Sequence, residues 1–165
     1  AAVAQVSGLQ AYASSGPAIE GNRYGPGATG AAPGGPRGSV VVARAQAKIA
    51  AGDFLAAQRI LQNEVRGAPG AEPLFLSAVA HSGLGELEEA RRAFAKALAA
   101  DAQHVGARVG LALTDIRLGR HDEAAAALAD LEARRAACAR MCNNAVALER
   151  GVRVIDHFLE QPLRL

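Results

Sequence analysis

AEPLFLSAVAHSGLGELEEARRAFAKALAADAQH, residues 71–104, decides the fold. It reads as two helices with a turn between them. The first, roughly residues 72–83, carries Leu74, Phe75, Ala78, Val79 and Ser82/Gly83 at helical spacing. Gly85 follows, a residue that takes the left-handed conformation at a helix end without a Cβ clash. Leu87 opens the second helix. Ala90, Phe94, Ala97 and Leu98 form one stripe of it, and Glu88, Glu89, Arg91, Arg92 and Lys96 the other. Ala90 is small where two helices cross closely, and Phe94 is large where the gap must be filled.

The unit recurs on both sides. Downstream, Gly119, Ala124 and Leu128 take the places of Gly85, Ala90 and Phe94; upstream, Gly52, Ala57 and Leu61 do. The glycines are 33 and 34 residues apart. A fixed period of this length, with two helices per unit, marks a stacked helical array.

With these residues the chain resembles the tetratricopeptide repeat family, over roughly residues 38–138. Gly-Asp-Phe at 52–54, Gly-Glu-Leu at 85–87 and Gly-Arg-His at 119–121 carry the resemblance, each followed by the close-packing alanine. The family's early aromatic is replaced here by Val41, Leu74 and Arg108, and its Tyr one turn before the glycine by Lys48, His81 and Asp115. The resemblance implies an all-α fold, a right-handed α-solenoid of about three helix-turn-helix repeats (39–70, 71–104 and 105–138). A C-terminal capping helix follows within 139–165, and an irregular Gly/Pro-rich arm over 1–38 precedes the repeats. It also implies a concave, peptide-gripping groove lined by Val42, Gln46, Ile49, Phe75, Val79, Ser82, Val109, Leu113 and Ile116. That lining is apolar. It lacks the Lys and Asn with which some family members clamp a terminal carboxylate, so that activity is not expected.

Composition agrees with close-packed helices: half the residues are apolar and only 4% aromatic. A net charge of +2, with basic residues scattered among acids, gives no nucleic-acid footprint. No apolar run is long enough to span a bilayer. The chain starts Ala-Ala-Val-Ala, which is what cleavage of a leader at a small-residue site leaves; a trimmed start is the other reading. A secreted or periplasmic location is the expectation.

Residues 1–38 hold nine of the 18 glycines, four of the seven prolines and only three charges, Glu20, Arg23 and Arg37. Ordering such a segment costs about 1–2 kcal/mol per residue, so an ordered arm needs compensating contacts. Val3, Val6, Leu9 and Tyr12 supply an apolar edge that suits either its own repeats or a neighbouring subunit. Ser39 is the expected N-cap of the first repeat. The tail, about 143–161, reads as a helix with Asn143 or Asn144 at its N-cap, Val146, Leu148, Val152, Ile155 and Leu159 on its apolar face, and Pro162 ending it. Its expected role is to cover the last repeat.

Cys138 and Cys142 fall where the third repeat turns into that helix. A structural disulfide is favoured over free buried thiols, and both over a metal or redox pair. A turn meets disulfide geometry, while two thiols need two more metal ligands and no histidine pair stands at ligand spacing. No metal or other cofactor is expected. Lys48, His81 and Asp115 occupy the same mark in successive repeats and would form a polar ladder if the repeats stack in register. With no nucleophile and no phosphate cradle nearby, such a ladder is structural and the chain is not expected to be an enzyme. Gly-x-Gly at 25–27 and 83–85 follows no strand and supports no dinucleotide site.

The reading is a non-catalytic scaffold for protein–protein contacts, with no nucleic acid and no membrane span. Its expected partner is itself, as a homo-oligomer or filament built by the arm entering a neighbour's groove, or another subunit of an envelope assembly. The alternative is a pilotin-like adaptor or chaperone of a secretion or envelope complex.

Overall fold

The computed structural model describes residues 36–67, 69–138 and 142–160. These residues form seven helices and no strand: α1 (Pro36–Ala50), α2 (Phe54–Leu61), α3 (Ala71–Gly83), α4 (Leu87–Ala100), α5 (Val105–Arg117), α6 (His121–Cys138) and α7 (Ala145–Glu160). Each packs on the next, and the first helices of successive pairs also touch, α1 on α3 and α3 on α5. This is a helical solenoid with the period read from the sequence.

The three glycines set that period through backbone chemistry. Gly52, Gly85 and Gly119 have φ of 76°, 81° and 77°. In each repeat the glycine N–H donates to a carbonyl three residues back, and the next N–H donates to one five residues back. In the second repeat these bonds are Gly85 to Ser82, 3.2 Å, and Glu86 to His81, 3.0 Å. This paired closure satisfies the last carbonyls of α1, α3 and α5 and turns the chain into the second helix at a fixed angle.

Small residues then let the helices approach. Ala57, Ala90 and Ala124 are fully buried. Phe94 lies over Gly110, where a Cβ would come within 2.3 Å of the ring, and Phe54 lies over Gly83. Gly151 gives the same room to Val109. One continuous core results, from Ile49 and Leu61 through Leu76 and Phe94 to Leu131 and Ile155.

Two expectations need correction. Helix α1 starts at Pro36, so Ser39 lies inside it and residues 36–38 belong to the repeats rather than the arm. Proline is suited to a helix's first turn because its missing N–H has no intrahelical partner there. Leu128 is only partly buried, and Leu131 fills the place of Phe94, with its Cδ1 3.9 Å from the Cβ position of Gly151. Leu131 stands three residues beyond the place of Phe94, so α7 lies over a later turn of α6. Helix α2 has 8 residues and ends in a turn. At the other end Asn144 holds the N-cap position of α7, its carbonyl accepting from the Leu148 N–H.

Candidate protein-binding surface

The stripe expected to line an open groove is mostly inside the protein. Ile49, Phe75, Val79, Ser82, Val109, Leu113 and Ile116 are each at most 6% exposed. Only Val42 and Gln46 are partly open. Because first helices of adjacent repeats touch, positions spaced i, i+4, i+7 on them fall into the seam between helices. Phe75 shows this directly, with its ring centroid 6.1 Å from Phe94 and 4.9 Å from the imidazole of His104. Val109 faces Gly151 of α7. Ser82 is engaged as well, its hydroxyl and its carbonyl both accepting from Arg117 Nη1, at 2.8 and 3.1 Å. Burial without a carboxylate beside it pushes the Arg117 guanidinium below its usual pKa. The arm residues Val3, Val6, Leu9 and Tyr12 lie outside the described residues.

The expected Lys48–His81–Asp115 ladder does not form. Each of the three pairs with a different residue. Asp115, buried, accepts from Arg91 Nε at 2.7 Å; His81 Nδ1 stands 2.6 Å from Glu86 and 2.8 Å from the Gln58 amide; Lys48 reaches Asp53 at 3.4 Å. Gln58 and Arg91 occupy equivalent positions, six residues after Gly52 and Gly85. The second helix of one repeat thus pairs with the first helix of the next, and the distance between successive first helices is bridged by that second helix. Hydrogen bonds from His81 and then Gln58 hold the Glu86 carboxyl below the ordinary carboxylate range. The Asp115 carboxylate raises the pKa of Arg91.

A second polar line went unread in the sequence. Gln46 donates to Glu72 at 3.1 Å, and Glu72 meets His104 Nε2 at 3.2 Å. His104 caps α5, its Nδ1 accepting from the Ala107 N–H at 3.0 Å. Nδ1 therefore carries no proton, and Nε2–H donates to Glu72. Histidine is an uncommon cap, so only its place just before Val105 could have signalled the role. Gly110 gave a clearer signal, because a glycine inside a helix costs about 1 kcal/mol and implies a close neighbour.

Cys138 and Cys142 form a disulfide with Cα atoms 5.5 Å apart. Beside it a cavity of about 330 Å³ opens between the start of α5, the end of α6 and α7, lined by Gln103, Val105, Arg134 and Leu148 among others. Arg134 is already bound to Asp130, Gln103 and the Ala102 carbonyl. Among the described residues no three His, Cys, Asp or Glu side chains gather as a metal site, and no helix is long and apolar enough to cross a membrane.

The description "Tetratricopeptide repeat" matches residues 82–141, from the last turn of α3 through α6. Over these residues the chain is similar to the tetratricopeptide repeat family. No curated protein and no solved structure matches it. Tetratricopeptide repeats generally mediate protein–protein contacts and are generally non-catalytic. The matched stretch holds the residues that fix the stacking, Gly85, Ala90, Phe94, Gly110 and Gly119.

Proposed function

We propose that this protein is a structural subunit of an ordered assembly in the periplasm or outside the cell, joined to copies of itself. The observation that carries the reading is the difference between the two ends of the solenoid. At the C-terminal end, α7 packs on the last repeat and turns Arg150, Arg153, Asp156, His157 and Glu160 outward, with Val146 exposed at its start. Such a polar terminal face is what keeps a repeat array soluble. At the other end α1 exposes Val40, Ala43 and Ala47 beside Arg44 and Lys48. An exposed apolar stripe of this kind favours a protein partner. The disulfide supports an oxidising compartment, where such bonds persist.

Light scattering on the purified protein tests the reading. An assembling subunit shows a mass that rises with concentration into the micromolar range. A mass fixed at one chain would instead favour an adaptor for a different protein.

A further inference from the structure

The cavity of about 330 Å³ beside the disulfide has a one-sided chemistry. Its polar lining side chains are Gln103, Arg134 and Asn144, and each carries N–H donors. Among the described residues, none that lines it is acidic. Val105, Leu148 and the Cys138–Cys142 bridge supply apolar wall. A few placed donors over an apolar wall are the usual make-up of a small-molecule site. The volume falls at the small end of such sites, which run from roughly 300 to 1,000 Å³.

The charge behind the wall fixes the sign of the ligand. Arg108 Nη1 and Arg134 Nε both reach Asp130 Oδ2, at 3.1 and 2.7 Å. Two guanidiniums thus share one carboxylate, and one positive charge is left over. The Arg108 side chain is 20% exposed and that of Arg134 26%, so solvent screens the surplus only in part. Burial, and then repulsion from Arg134, push the Arg108 guanidinium below its usual pKa. Arg134 is also fixed in place. Asp130 holds its Nε, while Nη1 donates to Gln103 Oε1 at 2.7 Å and to the Ala102 carbonyl at 3.4 Å. Nη2 is the group that remains to donate. Gln103 accepts through its oxygen, so its amide N–H groups remain as well.

We propose that this cavity binds a small aliphatic monocarboxylate. The carboxylate sits on Arg134 Nη2 and the Gln103 amide, and the tail lies against Val105 and Leu148. A monoanion balances the single surplus charge. A phosphate dianion overshoots it and brings three acceptor oxygens to a site with few donors. Each chain carries the site by itself, whether or not it assembles.

The test is an NMR titration of the full chain, disulfide intact, at constant ionic strength. The probes are 3-methylbutanoate, its uncharged amide, acetate and inorganic phosphate. 3-Methylbutanoate should shift the Gln103 side-chain amide and the backbone amides of Val105 and Leu148 saturably in the millimolar range. The uncharged amide, which lacks the charge, and acetate, which lacks the tail, should both bind more weakly. Arg134→Gln should weaken 3-methylbutanoate at least about tenfold, the worth of one charge-assisted hydrogen bond. Ala137→Leu, at an exposed lining position, should weaken it too while circular dichroism shows the fold unchanged. No saturable shift with 3-methylbutanoate overturns the site. Undiminished binding in Arg134→Gln overturns the role of the charge, and undiminished binding in Ala137→Leu overturns the location. Phosphate binding more tightly than 3-methylbutanoate overturns the ligand class.

Discussion

At the residue scale, the contacts with most at stake are those where a buried polar group depends on one neighbour. The Asp115 side chain is 4% exposed, and Arg91, 33% exposed, is its ion-pair partner. Arg91→Ala leaves that carboxylate buried and alone. A fully buried broken pair costs about 3–5 kcal/mol, and partial exposure of Arg91 brings the expectation to about 2 kcal/mol. For a chain of this size that is a fall in Tm of roughly 4–8 °C. Arg91→Met with Asp115→Leu should recover most of it, because no orphaned charge remains. Urea unfolding followed by circular dichroism measures both, and equal losses in the single and double variants would refute the account. Glu86 differs because it is exposed. Its carboxyl is held low by hydrogen bonds from His81 and Gln58, so the stability it adds is present above its ordinary pKa and disappears as pH falls through the depressed one. Gln58→Ala should move the Glu86 titration upward in an NMR pH series and lower stability slightly near neutral pH, with no loss below that titration.

At the scale of elements, the fit between helices was legible where a local rule forced it and hidden where packing chose. Gly52, Gly85 and Gly119 could be placed from sequence because a left-handed turn penalises any other residue. The groove could not, because a stripe at i, i+4, i+7 looks the same whether it faces a ligand or a neighbouring helix; contact between α1, α3 and α5 decided it. Leu131 in place of Leu128 was hidden for a related reason, since packing sets where α7 sits along α6. The seat of Phe94 on Gly110 makes a sharp test of this packing. Gly110→Ala should cost about 2 kcal/mol through overpacking. Phe94→Leu in the same chain should cost less than the two separate losses combined, since the smaller side chain leaves room for the methyl. Strict additivity would mean that the two residues do not meet. The disulfide acts on one element only. It closes a loop of a few residues, worth about 2 kcal/mol by loop-closure entropy, so reduction should speed hydrogen exchange in α7 and leave α3 and α4 protected.

At the scale of the whole molecule, stability is spread along the stack by contacts between neighbours, so the two ends answer differently to truncation. Helix α7 buries Leu148, Val152 and Ile155 and covers Val109 and Leu131. Three buried aliphatic side chains represent a gross gain of roughly 5–8 kcal/mol before the ordering of the helix is subtracted. Ending the chain at Cys138 removes that gain and exposes apolar faces of α5 and α6. Such a chain should melt at least about 10 °C lower, by the usual dependence of Tm on stability, or aggregate. Removing residues 1–35 takes away none of the core from Ile49 to Ile155. Helical content and a single cooperative transition should survive, and only the concentration-dependent part of the melting temperature should go. Thermal melts of both forms at two protein concentrations decide the matter. Equal melting temperatures would show that the last repeat needs no cover, and a loss of helix on removing residues 1–35 would place part of the core outside α1 to α7.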